Sequence, residues 1–130
     1  MPRHLCAPMC NGEQPTLDDV SRMADVFHVS LTAASIRFVR FAEAACAIVC
    51  SRAGKVEWAA GSRRFESKMA KGQAPGGASF ARLVEAGERA PARMLPVDPR
   101  AWGMRDEVEL MEQARPAGAV VLSWLWHAPL

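Results

Sequence analysis

Two consecutive segments near the start of the chain carry apolar residues at helical spacing, and each begins with a residue suited to cap a helix. In residues 16–27 the cap is Thr16, and the apolar stripe consists of Leu17, Val20, Met23, Ala24 and Phe27. In residues 30–42 the cap is Ser30, and the apolar stripe consists of Leu31, Ala34, Phe38, Phe41 and Ala42. The pattern predicts a helix, a tight turn and a second helix.

The pattern then changes to the alternation that is typical of strands. Residues 46–50 and 55–60 form a predicted hairpin that turns at Gly54. The first strand has one face made of Cys46, Ile48 and Cys50, and the alternating apolar residues of the second are Val56, Trp58 and Ala60. One helix is predicted next, over residues 78–89, with an apolar face that consists of Phe80, Leu83, Val84 and Gly87.

Three short strands are predicted after Pro91, over residues 92–97, 107–114 and 119–126. In the middle strand the apolar residues Val108 and Leu110 alternate against three acids, Glu107, Glu109 and Glu112. The last strand is apolar on both faces: one face carries Val120, Leu122, Trp124 and Trp126, and the other carries Val121, Ser123 and Leu125. Such a strand belongs at or near the centre of an antiparallel sheet.

The order of elements predicts an α+β protein in which a helix-turn-helix pair precedes an antiparallel sheet with one covering helix. Residues 1–15 are expected to be an irregular lead-in, because Pro2, Pro8, Gly12 and Pro15 prevent a long helix. The helix pair then covers residues 16–43, and the sheet region covers residues 44–130.

The chain also resembles a known family over nearly its whole length. It is similar to the region that follows the catalytic domain in ImmA/IrrE-type zinc metallopeptidases. The likeness rests on "LDDVSRMADVFHVSLTAASIRFVRF" running into "CAIVCSRAGKVEW", with weaker support from "PVDPRAW" and "ARPAGAVVLSWLW". For the long members of that family the implied architecture is a peptidase, a helix-turn-helix and a GAF-like sensory domain, so the resemblance implies a GAF-like or PAS-like domain over residues 44–130.

The sequence departs from that family at the catalytic motif. The peptidases need H-E-x-x-H on a helix, because two imidazoles four residues apart reach one zinc ion while the glutamate serves as general base. Here the motif is absent, and the histidines are His4, His28 and His127. We therefore expect no enzymatic activity, no catalytic residue and no cofactor. The chain is either a stand-alone module or the truncated tail of a metallopeptidase.

The second predicted helix is the candidate for contact with DNA or a partner. A recognition helix would place its contacts at the polar positions, which are Thr32, Ser35, Arg37 and Arg40. The preceding helix would then cross the DNA backbone, yet it carries three acids, Asp18, Asp19 and Asp25. Because phosphates repel acids, DNA binding is disfavoured, and packing of the helix pair on the sheet is the preferred interpretation.

The tryptophans and cysteines have competing interpretations. A ligand pocket would be lined by Trp58, Trp124 and Trp126, although aromatic residues at alternating strand positions are usually core. His127 is expected at a strand end or on the surface. Four thiolates could hold zinc, but their spacing is not that of zinc knuckles, so the preferred interpretation is small buried apolar residues at Cys6, Cys10, Cys46 and Cys50.

Charge and composition narrow the remaining classes. The formal charge is only +2, but residues 52–71 hold six basic residues against two acids, which is typical of a solvated loop or of a surface for an acidic partner: Arg52, Lys55, Arg63, Arg64, Lys68 and Lys71. No targeting segment or membrane span is visible, so a cytoplasmic location without membrane contact is expected. The leading interpretation is a non-catalytic regulatory or sensor module that binds a small ligand or a protein partner. The alternatives are a DNA-binding regulator that uses residues 30–41 and the peptidase tail, and a homodimer is left open.

Overall fold

The structure is a computed structural model that describes residues 3–66 and 70–130. The helices are α1 (Arg3–Cys6), α2 (Leu17–Phe27), α3 (Leu31–Phe41) and α4 (Phe80–Glu85), with 3-10 turns at Ala7–Cys10 and Pro99–Trp102. The strands are β1 (Ala45–Arg52), β2 (Lys55–Gly61), β3 (Leu95–Val97), β4 (Leu110–Ala117) and β5 (Val120–His127). The predicted α+β class is confirmed.

The five strands form one antiparallel sheet in the order β2-β1-β5-β4-β3. β5 lies in the middle, as its two apolar faces predict, and it pairs with β1 from Ala45↔His127 to Ser51↔Val121. The predicted hairpin is formed by β1 and β2, and its turn has positive φ at Ala53 (52°) and Gly54 (77°). A glycine takes up such a backbone conformation without strain.

The two predicted N-terminal helices are also confirmed, with the predicted caps. The Thr16 hydroxyl accepts a hydrogen bond from the Asp19 backbone N–H at 3.3 Å, and Asp19 accepts one from the Thr16 N–H at 2.8 Å. This reciprocal capping box satisfies two N–H groups that the helix itself leaves without partners. The Ser30 hydroxyl caps α3 in the same way, accepting from the Ala33 N–H at 3.0 Å.

Both faces of the sheet are covered: the helix pair packs on the sheet, as preferred from the sequence, and the single predicted covering helix lies on the opposite face. The α2–α3 pair and the first 3-10 turn lie on one face, where the largest fully buried side chains are Leu17, Met23, Phe38, Ile48, Leu122 and Trp124. The other face is covered by α4 and the second 3-10 turn, where Val49, Trp102, Leu110 and Leu125 are buried. The reason is that β1 and β5 are apolar on both faces, and each face needs a cover.

Two adjacent polar residues of β4 are buried and hold helices in place. The Glu112 carboxylate faces α4 and accepts hydrogen bonds from the Phe80 N–H at 2.9 Å and from the Ser79 hydroxyl at 2.8 Å. The Gln113 side chain faces the opposite way, and its Oε1 accepts from the Leu17 N–H at 3.0 Å. The sequence pattern places Glu112 on the face opposite to Val108 and Leu110. That prediction is wrong, because Leu110 and Glu112 are two residues apart on the strand and their side chains therefore point to the same face.

Several predicted boundaries need correction. The lead-in is not irregular, because Arg3–Cys6 is a short helix and the 3-10 turn Ala7–Cys10 packs against the core. The fourth helix ends at Glu85, and Gly87 does not extend its apolar face, because its φ of 77° leaves the helical region and terminates the helix. Strands β3 and β4 are shifted or shortened relative to residues 92–97 and 107–114.

A bulge in the β1–β2 ladder explains a further difference. The pairing steps from Cys50↔Trp58 to Ser51↔Val56, so Glu57 is an extra residue on β2. Val56 consequently packs with the α4 side of the sheet, while Trp58 and Ala60 pack with the α2–α3 side. The alternation in the sequence predicts that Val56, Trp58 and Ala60 share one face of the strand, and the bulge is the reason that they do not.

Residues of the helix pair and of the sheet share one continuous core on the α2–α3 side. The predicted boundary at residues 43–44 therefore separates helices from strands, but the helix pair and the sheet are in contact across it. In the described part of the chain, none of the helices is long and apolar enough to cross a membrane.

Candidate ligand-binding groove

A groove opens at the end of the sheet where β1 begins and β5 ends. It consists of three adjoining cavities of about 300, 340 and 550 Å³. They are bounded by the stretch after the first 3-10 turn, the end of α3, the turn after β2 and the C-terminal residues. We call the three cavities together the seam groove. The residues that line more than one of the cavities include Asn11, Glu13, Glu43, Arg64 and Trp126, and Leu130 lines one.

One end of the seam groove is rich in arginine. The cavity there is lined by Arg3, Arg40, Arg63 and Arg64, together with Phe41 and Asn11. The Arg3 guanidinium lies over the Phe41 ring, 5.5 Å from its centroid, which is a cation–π contact. Within residues 3–66 and 70–130, neither Arg40, Arg63 nor Arg64 has a carboxylate in ion-pair contact. This end therefore carries an excess of positive charge, although Glu43 also lines the cavity.

The other end of the seam groove is lined by large apolar residues. Trp126 lines it together with Leu130, and the Trp126 indole donates a hydrogen bond to the Glu13 carbonyl at 3.1 Å. His127 lies behind, 1% exposed, and its Nε2 accepts from the Glu66 N–H at 3.1 Å. Because Nε2 accepts, the proton is on Nδ1, which lies 2.8 Å from the Ala128 carbonyl oxygen. His127 is thus a buried strand-end residue and not a surface residue.

Ser62 attaches the loop that contains Arg63 and Arg64 to the start of β1. Its hydroxyl donates to the Ala44 carbonyl at 2.7 Å and accepts from the Cys46 N–H at 3.0 Å. The turn formed by Arg63 and Arg64 follows at once. The arginine end of the groove is therefore held by buried hydrogen bonds, although the arginine side chains themselves are exposed. Of the basic run predicted from sequence, Lys68 lies outside the described residues.

Of the three tryptophans predicted as pocket-lining, one lines the seam groove. Trp124 is fully buried, donates to the Pro15 carbonyl at 2.9 Å and contacts Phe38 edge-on at 5.5 Å between ring centroids. Trp58 is half-buried against the same core. Only Trp126 lines the groove, because it stands where β5 reaches the end of the sheet. The usual interpretation of alternating aromatics as core holds for the other two.

The predicted contact residues of α3 fall into different environments. Ser35 is fully buried and its hydroxyl donates to the Leu31 carbonyl at 2.8 Å, so it is not a surface contact and that prediction is wrong. Thr32 is half-buried. Arg37 is half-buried with its guanidinium 5.3 Å from the Phe41 ring centroid, and Arg40 is exposed at the groove. The structure therefore joins Arg40 to Arg63 and Arg64.

The cysteines are buried thiols on the α2–α3 side of the sheet. Burial away from water raises the pKa of Cys10 to about 11 and that of Cys46 to about 12, because it disfavours the charged thiolate. The Cys10 thiol donates to the Cys6 carbonyl at 3.2 Å. In the part of the chain described, no three His, Cys, Asp or Glu side chains are grouped so that they could hold a metal ion.

Sequence reasoning missed most of the seam groove. Arg63 and Arg64 were noted only as members of a basic run, and Arg3 and Glu43 carried no local signal. The groove residues come from both ends and the middle of the chain, so no spacing in the sequence connects them. Comparison with known proteins adds no family to this description, since neither a family model nor a curated protein matches the chain.

Proposed function

We propose that the chain is a non-catalytic regulatory module that binds a small ligand in the seam groove. The observation that carries this proposal is the groove itself: a preformed cavity with one polar, charged end and an aromatic side chain at the other. Such a combination is typical of small-molecule sites, which are concave, largely apolar and oriented by a few polar groups. The resemblance to the accessory region of ImmA/IrrE-type metallopeptidases agrees with a sensory role and with a cytoplasmic location.

If the module regulates a partner, ligand binding must change the surface that the partner contacts. The seam groove lies between the lead-in, the end of α3 and the sheet, so a bound molecule would contact all three at once. Occupancy would favour arrangements in which these segments are held together. We propose that a protein partner recognises the outer surface of this helix–sheet junction.

The experiment is a fragment screen read by the indole N–H signals of the four tryptophans. Trp126 is assigned with a Trp126→Phe variant, and binders of any charge are expected to move the Trp126 signal while Trp124 stays in place. Ala44 lines the groove and is half-buried, so Ala44→Trp should fill it and abolish these shifts. Ala119→Trp, on the exposed β4–β5 turn, is the matched control. Binders that leave Trp126 unmoved would contradict the proposal.

DNA binding through α3 is the second candidate, and one observation favours it. Arg40 is exposed beside Arg63 and Arg64, and the acids of α2 are partly neutralised, since Asp18 pairs with Arg115 at 3.1 Å and Asp19 pairs with Arg22. The burial of Ser35 speaks against base reading by this helix. A salt-dependent shift of duplex DNA that an Arg37→Ala/Arg40→Ala variant abolishes would establish this role instead.

A further inference from the structure

We propose that the ligand of the seam groove is an organic oxyanion: a phosphate or carboxylate at Arg40, Arg63 and Arg64, with a flat apolar body against Trp126. This inference rests on the proposed function and names the chemical class of its ligand. The juxtaposition that carries it is a cluster of arginines joined to an aromatic wall through shared lining residues. Arg64 lines all three cavities, so it stands where head group and body meet.

The arginine end is suited to an oxyanion by both charge and geometry. A guanidinium presents two parallel N–H groups that match two oxygens of a carboxylate or phosphate. Arg40, Arg63 and Arg64 approach the same cavity from the end of α3 and from the turn after β2, and within the described residues none of them is occupied by an ion pair. In the part of the chain that the structure describes, four arginines line this cavity against one acid, Glu43, and such an excess of positive charge attracts an anion to the space between them.

The aromatic end is suited to a flat body. Trp126 is held by its hydrogen bond to the Glu13 carbonyl and is half-buried, and the neighbouring Leu130 is 68% exposed, so a bound ring would remove apolar surface of both from water. Burial of apolar area and ring stacking favour an aromatic or aliphatic ring system over an extended polar chain. A simple inorganic phosphate would use only the arginine end.

Glu13 sets the polarity of the ligand along the groove, because this acid lines the cavities that contain Trp126 but not the arginine-rich cavity. Glu43 lines all three cavities, and Glu13 lines the two that contain Trp126. A second anionic group on the ring would lie near both carboxylates and be repelled, whereas hydroxyl or amino groups could donate to them. The expected ligand therefore has one anionic end and a body without further negative charge.

The test compares probes that share one ring and differ in the head group. These are 1-naphthyl phosphate, 1-naphthoate and the neutral 1-naphthol, titrated against the full chain while the Trp126 indole signal is followed. The expected order of affinity is phosphate, then carboxylate, then naphthol. Naphthalene-1,4-dicarboxylate is expected to bind more weakly than 1-naphthoate, and tighter binding would overturn the assigned orientation.

Variants at exposed arginines identify the head-group site. Arg64→Ala should weaken 1-naphthyl phosphate about fivefold, the size expected for one exposed charge contact. The Arg63→Ala/Arg64→Ala variant should weaken it further and reduce the salt dependence of binding. Both changes should weaken 1-naphthyl phosphate by a larger factor than 1-naphthol, which lacks the anionic head group. Arg82→Ala is the control, since Arg82 is an exposed arginine of α4 on the other side of the sheet.

The outcomes separate this inference from the proposed function. Equal affinity for all three probes, or arginine variants that leave the phosphate probe unaffected, would overturn the oxyanion assignment while the groove remains a binding site. If none of the three probes binds, the oxyanion assignment fails; if they bind without moving the Trp126 signal, both proposals fail. The arginine side chains are exposed, so their removal leaves the core intact, and unchanged signals from the buried Trp124 verify that each variant is folded.

Discussion

Glu112 and Gln113 are neighbours on β4, and they hold helices on opposite faces of the sheet. Both are at most 1% exposed, and both accept hydrogen bonds from backbone N–H groups at the start of a helix. Gln113 also donates through Nε2 to the Ala92 carbonyl at 2.8 Å, so both the oxygen and the nitrogen of its amide are hydrogen-bonded. Glu112 offers only oxygens, and every one of its partners is a donor.

The difference lies in charge. Burial raises the pKa of the Glu112 carboxyl, although donors at Phe80, Ser79, Trp102 and Ala81 oppose that rise by stabilising the carboxylate. The Trp102 Nε1 atom has no partner in ordinary hydrogen-bond geometry among the described residues, yet the indole is close enough to act in this direction. Gln113 has no charge to bury. The anchor of α4 therefore makes stability depend on pH through the Glu112 carboxyl, whereas the anchor of α2, Gln113, does not.

The largest expected effect comes from the apolar packing of the α2–α3 side. Trp124→Ala removes a fully buried indole that contacts Phe38, and it should lower the free energy of unfolding by about 3–5 kcal/mol, as large core truncations do. Urea denaturation measures it. The control is Val26→Ala, at a 60% exposed position of α2 where little should change. A loss no larger than that of the control would mean that this face is not the stabilising core.

Removal of the charged anchor should come next. Glu112→Ala leaves the Phe80 N–H and the Ser79 hydroxyl without their buried acceptor and should cost about 3 kcal/mol. Glu112→Gln keeps one oxygen as acceptor and should cost clearly less. Urea denaturation at neutral pH compares the two. Equal losses would show that hydrogen bonding by this side chain does not anchor α4.

Removal of the neutral anchor should cost less than removal of the charged one. Gln113→Ala deprives a single buried donor, the Leu17 N–H, of its partner, and the expected loss is about 1–2 kcal/mol. The capping box at Thr16 still holds the start of α2. Amide hydrogen exchange should locate the change at the first turn of α2. A loss greater than that of Glu112→Ala would reverse the proposed ranking of the two faces.

The smallest effect is the pH dependence that Glu112 should show and the uncharged Gln113 should not. Its folded pKa lies above the ordinary value of 4.5, so its contribution to stability is fully present below that value. As pH rises, the unfolded chain ionises first, and the contribution is lost until the folded pKa is passed. The stability of the wild type relative to Glu112→Gln should thus fall with rising pH in this range. Glu109→Gln, at an exposed position, should show no such trend.

Local pattern was sufficient for the elements whose partners are close in the chain. The capped helices α2 and α3, the β1–β2 hairpin and the central position of β5 all follow from spacing, cap residues and alternation on two faces. The same reasoning failed at Gly87, where one glycine ends a helix, and at Glu57, where a bulge changes the face of Val56. At Gly87 the positive φ is a local signal that ends the helix, and at Glu57 the extra residue is set by the pairing of β2 with β1.

The candidate site was much less predictable. Trp126 was one of three tryptophans with the same alternation, and only its place at the end of β5 puts it in the groove. Arg3, Arg40 and Arg64 are separated by tens of residues in the sequence. They converge because the lead-in, the end of α3 and the turn after β2 meet at one end of the sheet. No periodic signal records such convergence.

The sequence by itself determined the order of the elements, their caps and the apolar faces that had to be buried, because these depend on neighbours within a few residues. The tertiary structure alone decided that α4 and the α2–α3 pair lie on opposite faces of the sheet, that Glu112 binds the start of α4, and that arginines from three segments meet near Trp126. Those features arise from contacts between distant residues, and such contacts exist only once the sheet has assembled.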